Sequence, residues 1–158
     1  MLRKVLIYIG GGMTIAWGIA HLIPVAGVVA GFGPISLDNA RVITMEWINE
    51  GLTLIFLGTL AIVTAIVEEK SREAARMVYF MVFVMLAAMS VLSVFTGFKV
   101  SFLPYKLCPF IFTIAGLLVL QGIMRPELAL YRSFHSGTGL VEGQGIRQVK
   151  TKKLKGKR

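Results

Sequence analysis

Four apolar runs, at residues 5–30, 45–67, 77–98 and 102–124, take up most of the 158-residue chain. Each has the length an α-helix needs to cross about 30 Å of hydrocarbon at about 1.5 Å per residue. Lipid cannot hydrogen-bond an open backbone group, so such runs are expected to be helical throughout. The chain therefore reads as an all-α, polytopic integral membrane protein, a four-helix bundle with short loops. A hydrophobic content of 56% with 16% charged residues and a mean hydropathy of +0.76 would leave a water-soluble fold without a polar surface.

The segments between the runs are too short for a second folded domain, so residues 1–125 are expected to form one bundle. The first run has the charge pattern of a secretory signal, with Arg3 and Lys4 ahead of it. It is longer than a signal core, and it is read as a retained first span. Gly31-Phe32-Gly33-Pro34 ends it, and Ser36 or Asp38 is placed to cap the second helix. The charged stretch 68–73 reads as a solvated turn joining spans two and three, and 97–104 as an equally short turn joining spans three and four.

Basic residues near the span ends set the expected orientation. Arg3, Lys4, Lys70, Arg72, Arg76, Arg125 and Arg132 fall on one side, and Arg41, Lys99 and Lys106 on the other. The positive-inside rule puts the first group, and with it both termini, in the cytoplasm, with the bundle in the cell membrane. Segment 126–134 has the apolar and aromatic content of an interfacial stretch. Residues 136–158 turn to Gly, Ser and Thr and then to lysine, as expected of a disordered basic tail drawn to anionic lipid headgroups. Nucleic acid is not expected as a partner, because no aromatic platform accompanies the charge. His135 in this tail has no visible partner. The single cysteine, Cys108, excludes an internal disulfide.

Polar residues within the spans carry what functional information there is, since an ionised group facing lipid is costly. Gly11, Thr14, Gly18 and His21 lie at offsets 0, 3, 7 and 10, a small-residue stripe that suits helix packing and turns His21 toward a neighbour. Pro24 follows within a turn and is placed to kink or end that helix. Glu46, Asn49, Glu50 and Thr53 lie at offsets 0, 3, 4 and 7 and share one face of the second span. Counting about 25 Å from the cytoplasmic ends brings His21, Glu50, Ser93 and Cys108 to a common outer depth, beneath Glu46 and Lys106.

Two readings of this layer stand side by side. In one, Glu46 and Lys106 meet water, Glu50 bonds His21 or Asn49, and the network fixes helix register. In the other, His21, Glu46, Asn49, Glu50, Thr53 and Lys106 line a pocket for a proton, a cation or a polar ligand. His21, Glu50 and Cys108 offer donors to a metal, but no H-x-x-x-H, E-x-x-H or C-x-x-C spacing supports one. Met77, Met81, Met85 and Met89, at steps of four, raise a copper path, and core packing is the expected role instead. Trp47 suits an interfacial anchor. No signature of a hydrolase, kinase, P-loop or dinucleotide fold occurs, and no catalytic residue is assigned.

This layout, with His21 late in the first span, residues 46–50 opening the second and Leu103-Pro104-Tyr105-Lys106-Leu107-Cys108-Pro109 leading into the last, resembles the small DoxX-like group of bacterial and archaeal membrane proteins. The resemblance covers residues 5–124 and implies a four-helix membrane bundle, in some cases tied to redox or quinone-linked systems. The expected function is that of a non-enzymatic membrane subunit or homo-oligomer. Its outer polar pocket would bind lipid, a small ligand or partner helices, and no cofactor is required. The alternative is a proton-coupled transporter or quinone-linked redox protein using His21, Glu46 and Glu50.

Overall fold

The computed structural model describes residues 2–97 and 103–124, all of them helix or short connection. The elements are α1 (Leu2–Leu22), α2 (Val25–Gly31), α3 (Leu37–Val67), α4 (Arg72–Gly97) and α5 (Leu103–Leu120), followed by a single 3₁₀ turn, Gln121–Ile123. Four helices are long and apolar enough to cross a membrane, over Leu2–Leu22, Leu37–Val67, Arg72–Thr96 and Tyr105–Ile123. The chain thus has the make-up of a multi-pass membrane protein. Many large apolar side chains, Phe56, Ile66, Leu92 and Phe95 among them, are exposed on the helices, as lipid-facing surface requires.

Two boundaries differ from the sequence reading. The first run does not continue to residue 30: α1 stops at Leu22, and Pro24 caps the separate short helix α2. Proline has no N–H to extend α1, and its carbonyl accepts from Val28 to begin α2 instead. The chain then reverses at Gly33, whose φ of 73° lies in the left-handed region open to glycine. The second run starts earlier than residue 45. Ser36 accepts from the Asn39 N–H and caps α3, which runs for 31 residues and about 46 Å. That exceeds the hydrocarbon thickness, so the end carrying Asp38 and Arg41 belongs outside it.

Packing follows from the glycines of α1. Helix α1 rests on α3 and α5, and α4 rests on α5 and α3. The Gly10-Gly11-Gly12 triplet serves two neighbours and the outside. A Cβ on Gly10 would meet the Ala115 carbonyl and Leu118 of α5 at 2.9 Å, one on Gly11 would meet the Gly58 carbonyl of α3 at 2.9 Å, and one on Gly12 would meet nothing. Seven residues along, the contact repeats: a Cβ on Gly18 would meet the Gly51 carbonyl at 2.7 Å and one on Gly51 would meet that of Gly18 at 3.0 Å. Reciprocal pairs Gly11/Gly58 and Gly18/Gly51 fix α1 and α3 as antiparallel and nearly in backbone contact. Thr14 and His21 continue the buried stripe.

Around this crossing lies a core of Ile7, Leu54, Tyr79, Leu86, Phe112 and Val119. Methionine contributes little to it, contrary to expectation. Met77, Met81 and Met85 are exposed, and only Met89 packs against the core. The inward face of α4 belongs to Ala75, Tyr79, Val82, Leu86 and Ser90, so the methionine row lies on the opposite side.

Matched substitutions separate close packing from helix propensity. Gly58→Ala, which drives a methyl group into Gly11 and Ile15, is expected to lower stability by about 1–3 kcal/mol. Gly12→Ala, facing open space, is expected to be neutral or to gain up to about 1 kcal/mol. Thermal unfolding of both full-length variants in detergent measures the contrast.

Candidate functional site

At the end where α1 terminates, four aromatic rings gather. Helix α1 supplies Trp17 and His21 one turn apart, α3 supplies Trp47, and α5 supplies Tyr105. The His21 ring stacks on Trp47 at 4.8 Å and 21°, Trp17 meets His21 edge-on at 5.9 Å, and Tyr105 meets Trp47 edge-on at 5.3 Å. With Pro24 and Cys108 these rings line a cavity of about 150 Å³. Trp47 is not an interfacial anchor here. It is buried, and its indole N–H donates to the His21 carbonyl, one of the carbonyls that the end of α1 leaves without a helical partner.

His21 is the polar centre of the cluster. It is 5% exposed, and its Nε2 makes no hydrogen bond. The nearest carboxylate oxygen, Glu50 Oε1, stands 3.6 Å away, outside normal hydrogen-bond length. Glu50 is partly exposed, which spares it the cost of a fully buried charge. The Trp17 indole nitrogen is likewise buried and makes no hydrogen bond of normal geometry; the acceptor it approaches is the Cys108 sulfur in the cavity wall.

The structure divides the remaining sequence candidates. Glu46 and Asn49 are exposed, and Asn49 opens with Arg41 and Thr44 onto a separate groove along α3. Thr53 is half-buried and outside the cavity. The four-residue polar face is thus not turned inward as a unit, because the face of α3 that packs is Trp47, Gly51 and Leu54. Lys106 is half-buried, and among the described residues it forms no ion pair with Glu46 or Glu50. Ser93 spends its hydroxyl on the Met89 carbonyl of its own helix, 2.7 Å away. No group of three or more His, Cys, Asp or Glu side chains is gathered among the described residues. Lys99, Arg125, Arg132, His135 and the expected interfacial segment and tail at 126–158 lie outside the described residues.

Two polar clusters were not expected. Near the middle of α5, Pro109 interrupts the hydrogen-bond ladder, and its carbonyl accepts from Thr113 at 2.7 Å and from Ser90 of α4 at 2.9 Å. Ser90, buried three residues before Ser93, is the serine that ties these helices together. At the opposite end from His21, Glu68 is 4% exposed and not part of a solvated turn. Arg3 donates to its Oε1, and the Tyr79 hydroxyl donates to its Oε2 at 3.0 Å. Arg3 also donates to the Gly122 carbonyl at 3.1 Å, and Arg76 to that of Ile123 at 3.1 Å. Lys4 pairs with exposed Glu69 at 3.2 Å. One buried carboxylate thereby fastens α1, α3 and α4, and through Arg3 the turn after α5. The sequence signal was present in Arg3 and in Tyr79, eleven residues after Glu68, but local charge alternation hid it.

No protein-family model matches the chain, and no curated protein or solved structure matches it.

The Glu68 cluster gives a graded expectation. Arg3→Met removes the nearer of two cations from a buried carboxylate, leaving Lys4 at 3.7 Å, and is expected to be the costliest change of the three, at about 3 kcal/mol. Tyr79→Phe, which removes one hydrogen bond to a charged group, costs about 1.5–3 kcal/mol. Lys4→Met, at the exposed edge, is expected to cost the least of the three. Thermal unfolding of the three variants in one detergent ranks them.

Proposed function

We propose that this chain is a four-helix membrane bundle with both termini on the cytoplasmic side of the cell membrane. It acts as a non-enzymatic membrane subunit or self-associating protein, and the cavity at its outer end takes a lipid group or a small ligand. The observation that carries this reading is His21: a buried imidazole that lines the cavity, stacked on Trp47, whose Nε2 makes no hydrogen bond. Buried polar groups are ordinarily satisfied, and an exception marks a place where a partner is missing. A pocket mainly of aromatic surface with a few polar atoms is the common form of a small-molecule site. Arg3, Lys4, Lys70, Arg72 and Arg76 at the Glu68 end, against Arg41 and Lys106 at the cavity end, support the orientation. Kinship with the DoxX-like group is part of this proposal and rests on span layout and on residues 103–109.

A second reading has one observation in its favour. His21 and Glu50 stand 3.6 Å apart with the carboxylate partly open to the surface, as a proton path in a coupled transporter or quinone-linked redox protein would use them.

Native mass spectrometry of the purified chain tests the binding reading, because it reports bound species and oligomeric state together. A retained species that is lost in His21→Leu, at unchanged helix content, is the expected result. A ligand-free wild type under gentle extraction overturns it. Glu50→Gln separates the two readings. Under the binding reading, proton uptake into liposomes carrying the protein is absent in wild type and variant alike. Uptake that disappears in the variant, with assembly intact, favours the transporter.

A further inference from the structure

The cavity beside His21 has a chemistry that narrows what it can hold. Its wall is mostly carbon, with four aromatic rings, Pro24 and the Cys108 thiol. A volume of about 150 Å³ has room for several waters. Each water needs two to four polar partners, and a wall this apolar does not supply them. An occupant with an apolar body and one polar atom suits the space better.

The sign of that polar atom follows from the two unbonded nitrogens. Trp17 Nε1 carries a hydrogen and can only donate, so only an acceptor completes it. His21 Nε2, 3.6 Å from Glu50 and without a hydrogen bond, is completed by the same acceptor when it carries its proton. An organic cation would leave the indole N–H unmatched. A free carboxylate or phosphate would bury a full charge at this depth without a fixed cation, since Lys106 is not among the lining residues.

We propose, building on the reading of the cavity as a ligand pocket, that it binds a neutral carbonyl group, whose oxygen accepts hydrogen bonds from Trp17 Nε1 and His21 Nε2 while its apolar body fills the aromatic enclosure. A membrane-lipid ester and a free ketone, aldehyde or amide share this chemistry.

The chain reports on the site directly, because its two tryptophans both line the cavity. The experiment titrates the full-length protein in detergent with cyclohexanone, methylcyclohexane and tetramethylammonium, following tryptophan fluorescence and the two indole N–H resonances. Cyclohexanone is expected to give a saturable fluorescence change and to shift one indole N–H, with the other two probes at least tenfold weaker. His21→Phe keeps the ring stack, and Trp17→Phe keeps the bulk. Each is expected to weaken cyclohexanone at least tenfold while helix content and unfolding temperature hold. Equal binding of methylcyclohexane, or tighter binding of tetramethylammonium, overturns the carbonyl assignment and leaves the pocket standing. Saturable binding by none of the three overturns both. Native mass spectra then separate the sources: a phospholipid mass lost in Trp17→Phe identifies the lipid ester, and a lost mass of a few hundred daltons or less identifies a free carbonyl compound.

Discussion

Everything in this molecule depends on how closely α1 approaches α3. At Gly11/Gly58 and Gly18/Gly51 each helix presses on the other's carbonyl oxygens, at distances a Cβ could not share. Lipid supplies no hydrophobic drive to pair two apolar helices, so the attraction comes from dispersion over surfaces without protruding side chains. That approach brings the end of α1 against the early part of α3. There the Trp47 indole reaches the His21 carbonyl, and the imidazole stacks on Trp47. The aromatic enclosure is thus a product of glycines seven residues apart.

Much of the fold could be read from residues alone, because the bilayer permits so few solutions. Long apolar runs between charged segments locate four helices, and Ser36 and Pro24 mark a start and a stop through ordinary cap and ring chemistry. The errors share a cause. Glu68 looks solvated because its sequence neighbours are charged, yet its partners, Arg3 and Tyr79, arrive from other helices. The methionine row looks like core because methionine packs well, but in a membrane the outward side of a helix is equally apolar. In water, exposure would have been penalised and the pattern informative.

Some residues of the candidate site could be picked out in the sequence, but not their arrangement. Counting from the helix ends selects His21, Glu50, Ser93 and Cys108, of which His21 and Cys108 line the cavity, Glu50 stands beside His21 and Ser93 bonds its own helix. Glu46, Asn49, Thr53 and Lys106, grouped with them as pocket candidates, do not line it. A helical face covers a broad arc, and periodicity does not tell which part of the arc a neighbour covers. The aromatic partners were harder still. Trp17, Trp47 and Tyr105 come from three helices, and tryptophan near a span end is ordinarily read as an anchor in the headgroups.

The Glu68 cluster also says something about how the protein is made. Arg3 is synthesised well before its two acceptors, which lie 65 and 119 positions later. The glycine crossing of α1 and α3 can form as soon as the third helix of the chain has entered the bilayer. The arginine cannot complete its bonds until α5 has ended and Gly122 has emerged. Helix pairing can therefore come early in biogenesis, whereas the ionic fastening can close only once α5 is present.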